Sequence, residues 1–166
     1  SVILAGEDVS LAITFTPTRT GSKAATLTIE SDDHDTPAFT LALSVTATAP
    51  EINVQYAAAS YASGSAIELT GTTNVGSSSD HTLTIQNTGT GALSLTGSPR
   101  VSISGTHAAD FTVSPQPGSA SIAAGNSVDF QITFDPAAPG LRSATVSIAN
   151  DDSDESPYTF AIEGTG

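Results

Sequence analysis

The sequence predicts an all-β sandwich, and three observations carry that prediction. Short runs alternating between apolar and hydroxyl-bearing residues recur along the chain, separated by Gly, Asn, Asp and Pro. No stretch carries the 3.6-residue periodicity of an amphipathic helix. The chain also resembles itself at a fixed spacing.

That spacing is 119 positions. Slid by this amount, "ILAGEDVSLAITFTPTRTGSKAATLTIESDDHD" lies over "IAAGNSVDFQITFDPAAPGLRSATVSIANDDSD" without a gap. Gly6 meets Gly125, Ile13-Thr14-Phe15 meet Ile132-Thr133-Phe134, Pro17 meets Pro136 and Gly21 meets Gly140. Asp32, Asp33 and Asp35 meet Asp151, Asp152 and Asp154, and Phe39-Thr40-Leu41 continue over Tyr158-Thr159-Phe160. About two residues in five are identical, a strong internal signal at this length. The expected organisation is therefore residues 1–49 as the closing part of one repeat and 50–166 as a complete one. The joint falls at Ala49-Pro50, where Pro fixes φ and removes a donor.

Within the complete repeat the strand candidates follow in order. "EINVQY" (51–56) and "AIELTG" (66–71) come first. "HTLTIQN" (81–87) sets Leu83 and Ile85 on one face and Thr82 and Thr84 on the other. It ends in "NTGTG", where Asn87, Gly89 and Gly91 suit the φ > 0 positions of a tight turn. "ALSLTG", "RVSIS", "DFTVS" and "SASI" are shorter. After the turn at Ala124-Gly125-Asn126, Val128, Phe130, Ile132 and Phe134 form one apolar row suited to a central strand. "RSATVSIAN" and "PYTFAIEG" close the unit. Phe15/Phe134, Pro17/Pro136 and Gly21/Gly140 read as fold residues: core filler, strand end and turn.

Composition narrows the function classes. The chain has 17 acidic against 4 basic residues, a net charge of −13. Phosphate contacts need Lys and Arg, so nucleic acid is disfavoured as a partner, as are anionic membrane surfaces. There is no Cys, hence neither a disulfide framework nor thiol chemistry. No run of 18 apolar residues exists, so direct membrane insertion is not expected. The start, "SVILAGEDVS", lacks Met and any n- or h-region, and reads as a piece of a longer protein.

The motifs "QNTGTG", "SGTHAADF", "ITFDPAAPGLRSATVSI" and "NDDSDESPYTFAIEGTG" closely resemble the bacterial repeat called the choice-of-anchor D domain, a relative of the Hydin-like ASH sandwiches. The resemblance covers nearly all of 51–166, and 1–49 matches the last part of the same repeat. It implies an immunoglobulin-like antiparallel β-sandwich, used as a tandem module of large secreted or surface-attached proteins. It supplies no catalytic residues.

The acidic clusters are the main candidate chemistry. Asp151, Asp152, Asp154 and Glu155 offer hard oxygen ligands between two strands, as do Asp32, Asp33 and Asp35 in the first copy. The spacing is not that of an EF-hand, and Glu155 and Ser153 become Thr36 and His34 in the first copy. A calcium site competes here with a solvated turn in which Asp side chains cap backbone N–H groups, and the turn is the favoured reading.

His34, His81 and His107 are too scattered for a metal set and read as exposed loop residues. No G-x-S-x-G elbow supports a Ser-His-Asp enzyme, and the glycines at 89–91 precede no helix that could hold phosphate. Lys23, the sole lysine, has Arg142 at its matching position. This excludes a shared isopeptide crosslink, and both read as exposed charges where their strands begin.

A closing part alone leaves an apolar face and strand edges uncovered, and is too small to fold by itself. Residues 1–47 are therefore expected to be ordered by another chain or subunit, whether neighbouring repeats or identical subunits in a homopolymer. The expected function is a non-catalytic spacer, stalk, adhesin segment or fibre subunit, secreted or at the cell surface, with no cofactor. The alternative is a loop-based glycan- or protein-binding module, for which only Tyr56 and Tyr61 offer aromatic contacts.

Overall fold

The computed structural model describes residues 2–166 and divides into two compact units, Ser1–Ala47 and Thr48–Gly166. The first contains one antiparallel hairpin, β1 (Gly21–Glu30) and β2 (Ala38–Ala47), paired from Gly21↔Ala47 to Glu30↔Ala38.

The second unit holds eleven strands in two facing sheets and one small ladder. They are β3 (Ile52–Tyr56), β4 (Ala59–Tyr61), β5 (Ala66–Thr72), β6 (Ser79–Asn87), β7 (Leu93–Ser94), β8 (Val101–Ser104) and β9 (Phe111–Val113). A single 3₁₀ turn, Ala108–Asp110, precedes β9, and β10 (Ser121–Ile122), β11 (Ser127–Phe134), β12 (Leu141–Ile148) and β13 (Tyr158–Thr165) complete the order. One sheet runs β4-β3-β6-β11-β9, the other β5-β13-β12-β8, and β7 pairs with β10. All pairings are antiparallel except β5 with β13, which is parallel. An all-β sandwich is thus the fold.

Alternation explains the core. On β11, Phe130, Ile132 and Phe134 are buried and Val128 packs at the margin, on a strand flanked by β6 and β9. Leu83 and Ile85 of β6 and Val146, Ile148, Phe160 and Ile162 of the opposite sheet meet them. Burial of each such side chain contributes about 1.5–3 kcal/mol.

Three expectations need correction. Gly89 and Gly91 are not among the residues with φ > 0. Gly89 is required for closeness instead: a Cβ there would lie 2.5 Å from the Ala49 carbonyl oxygen and the Glu51 nitrogen. His81 is buried within β6, its ring bridging the Tyr56 hydroxyl and the Ser79 hydroxyl, both at 2.9 Å. It lies mid-strand on the inward face, where exposure is not available. Arg142 is also no free surface charge: its Nε donates to the buried Asp110 carboxylate at 2.6 Å.

A two-residue turn joins β3 to β4, with Ala57 at φ 49° and Ala58 at φ 65°. Such a turn prefers Asn-Gly, so the Ala-Ala pair carries no sequence signal for it. Residues 8–15 match β11 residue for residue under the 119 spacing, yet form no strand. β11 has ladder partners on both sides, β6 and β9, whereas among the described residues of the first unit only the hairpin strands pair. An extended run without partners cannot satisfy its backbone N–H and C=O groups by a ladder.

Candidate functional site

The loop between β12 and β13 concentrates the acidic side chains, and the side-chain oxygens of Asn150, Asp151 and Asp152 accept backbone N–H groups. Asn150, buried, donates through Nδ2 to the carbonyls of Ile148 and Glu155, while its Oδ1 accepts from the Asp152 N–H at 2.8 Å. Asp151 accepts from the Ser94 N–H at 2.7 Å and thereby ties the loop to β7. Asp152, 2% exposed, accepts from the Ile52 N–H at 2.9 Å and the Asp154 N–H at 3.4 Å. Asp residues favour such turns because their short carboxylates reach nearby N–H groups.

Among the described residues, one group of carboxylates converges closely enough for a shared cation: Glu51, Asp152 and Glu155, with oxygens within 4.8 Å of one another. Burial pushes the Glu51 carboxyl above its ordinary value, and the charges of Asp152 and Asp154 push it further. Burial likewise raises Glu155, with Glu51, Asp152 and Asp154 adding to the effect. Clustered negative charge of this kind binds protons more readily and offers hard oxygen donors suited to calcium.

Of the sequence candidates, Asp152 and Glu155 are in this group, while Asp151 and Asp154 are not. Asp32, Asp33 and Asp35 are not assembled into such a group. All three are exposed, and Asp33 caps the N–H groups of Asp35 and Thr36 at 2.8 and 3.0 Å. Those two bonds hold its carboxyl below the usual range. Glu51 was missing from the sequence-based set. It lies about a hundred residues before the loop, and only the pairing of β3 into the opposite sheet brings it there.

Other polar clusters serve the interior. Asn87, 1% exposed, donates to the carbonyls of Gly91 and Ile122 and accepts from the N–H groups of Glu51 and Gly89. Tyr56 joins His81 to Thr70, its hydroxyl lying 2.9 Å from each. Among the described residues, no buried side-chain nitrogen or oxygen is left without a partner.

Comparison with known proteins identifies the family of this sandwich. The family model described as "HYDIN/CFA65/VesB-like, Ig-like domain" matches residues 68–165. The chain belongs to this HYDIN/CFA65/VesB-like Ig-like domain family. No curated protein matches the chain. Among solved structures, a protein of unknown function from Porphyromonas gingivalis W83 is similar over 91% of this chain and 68% of its own, at 16% identity and TM-score 0.52. The ASH/PapD-like domain 7 of human CEP192 aligns over 69% of this chain and 84% of its own, at 18% identity and TM-score 0.46. The Vibrio cholerae VesB protease aligns over 62% of this chain and 31% of its own, at 17% identity and TM-score 0.47. Among the described residues, no helix is long and apolar enough to cross a membrane.

Proposed function

We propose that the chain is a non-catalytic structural repeat of a secreted or surface-displayed bacterial protein, acting as spacer, stalk or fibre segment. Within its Ig-like family, the motifs "SGTHAADF" and "NDDSDESPYTFAIEGTG" favour the choice-of-anchor D type. The observation that carries the reading is the tandem design. The closing hairpin recurs once, 119 residues on, in the same register: Lys23↔Val45 in one copy and Arg142↔Gly164 in the other. Modules that repeat their closing hairpin in register extend a polypeptide, and their polar groups are spent on holding sheets together.

Stretching the full chain between its ends in a force spectrometer tests this. A single cooperative rupture of Thr48–Gly166 should lengthen the chain by about 400 Å, at roughly 3.5 Å per extended residue. Gradual lengthening without a rupture would remove the spacer reading. Saturable binding on a glycan array, or turnover of a substrate, would replace it with a binding or catalytic one.

A further inference from the structure

The motif "QNTGTG" does more than end β6. Its residues 87–91 lie along the backbone of 49–51, which belongs to no strand. The Ala49 N–H donates to the Thr90 Oγ1 at 3.3 Å. The Ala49 carbonyl accepts the N–H groups of Thr90 and Gly91 at 2.9 and 2.8 Å. Pro50 has no N–H to satisfy. The Glu51 N–H donates to the Asn87 Oδ1 at 3.3 Å, and the Glu51 carbonyl accepts the Thr88 N–H at 2.8 Å. The Ile52 N–H is held by Asp152 at 2.9 Å. Every backbone N–H from Ala49 to Ile52 therefore has a partner inside the second unit.

Two glycines make this approach possible. A Cβ on Gly89 would lie 2.5 Å from the Ala49 oxygen and the Glu51 nitrogen, and 2.6 Å from the Pro50 carbonyl carbon. A Cβ on Gly91 would lie 3.1 Å from the Ala49 carbonyl carbon and 3.2 Å from the Thr48 Oγ1. Neither glycine has φ > 0. The turn itself does not demand them; the backbone lying against them does.

We infer that residues 87–91 are a clamp for the chain entering the sandwich, holding 49–51 as a fixed strap and so limiting slack at the joint between repeats. The last ladder residue of β2 is Ala47, paired with Gly21, and the first clamped residue is Ala49. Only Thr48 lies between them. A linker of several free residues behaves as a flexible coil, whereas one residue offers a single φ and ψ. Pro50 stiffens the strap further, its ring fixing φ at about −65°. Spacer length is then set by the modules and not by loose chain joining them.

This inference rests on the repeat reading and deepens it, but its test reads the joint alone. Slack at 49–51 would overturn the clamp while a cooperative rupture of the sandwich still stood, and a missing rupture would leave the clamp in place. Backbone ¹⁵N relaxation and amide hydrogen exchange are measured on the full chain. Ala49 and Glu51 should show order parameters of about 0.85, level with β3. Gly89→Ala should lift the strap, taking both below about 0.6. Exchange at Ala49, Glu51, Thr88, Thr90 and Gly91 should quicken about tenfold or more, with β11 and β12 as in the parent. Order parameters already below about 0.6 in the parent, or unchanged by Gly89→Ala, would overturn the clamp. Should Gly89→Ala loosen β11 and β12 as well, Thr90→Val decides, since it removes only the Oγ1 acceptor. Faster exchange at Ala49 in that variant supports the clamp, and unchanged exchange overturns it.

Discussion

The Asp152 carboxylate accepts the backbone N–H of Ile52 at 2.9 Å across a sequence separation of 100 residues. This bond fastens the acidic loop to the first strand of the sandwich, so the loop's most buried aspartate is a structural clasp. Asp152→Ala should destabilise the second unit by about 1–3 kcal/mol, because a buried N–H loses its acceptor. Asp154→Ala, outside the converging group, should change stability by less than about 0.5 kcal/mol. Urea denaturation of the two variants checks the contrast.

Glu51 and Glu155 titrate above their ordinary values, and the sign of the consequence follows. A carboxyl raised on folding lowers stability while ionised, and the loss is recovered as pH falls through its folded pKa towards the unfolded value of 4.5. Glu51→Gln should therefore stabilise the chain at pH 7, by about 0.5 kcal/mol or less after solvent screening. The gain should vanish near pH 4.5. Melting with chelator and with added calcium separates proton from cation: a calcium-dependent rise in the parent that Glu51→Gln abolishes would place the ion at this group.

Asp110 behaves in the opposite sense. The hydrogen bond from Arg142 holds its carboxyl below 3.8 despite burial, so its stabilisation is present above that value and is lost as pH falls through the lower folded pKa. Removing the cation leaves a buried carboxylate unpaired, and Arg142→Ala should cost about 3 kcal/mol. Chemical denaturation at pH 7 and pH 3 should show a penalty that shrinks in acid.

Burial keeps the His81 imidazole below its ordinary 6.5. The unfolded chain then binds the proton first, so stability falls as pH drops from about 6.5 towards the folded pKa. His81→Gln should flatten the stability profile between pH 7 and 5, at a cost at pH 7 measurable by thermal melting.

The β3–β4 turn holds Ala57 and Ala58 in the left-handed region. Ala58→Gly should stabilise the sandwich by about 1 kcal/mol, because an L side chain there is strained while glycine is not. A fall in the denaturation midpoint would contradict this.

What the sequence determined by itself is what depends on local chemistry. Alternation on "SVDFQITF" and "HTLTIQN" marks strands and their buried faces, because a pleated chain turns successive side chains to opposite sides. The matching spacing of Gly21/Gly140 and of the core positions marks two hairpins of one kind. Where local chemistry was silent, the reading failed: Ala57-Ala58 announce no turn, and Gly89 looked like a φ > 0 position when the constraint is the backbone of Ala49–Glu51 pressed against it. Tertiary structure alone decided what depends on distant partners. It buried His81 beside Tyr56, paired Arg142 with Asp110 and brought Glu51 to Asp152 and Glu155. It also made a strand of 127–134 and none of 8–15, although the two are near copies. A strand is completed by the neighbour that accepts its hydrogen bonds, and no sequence of eight residues contains its neighbour.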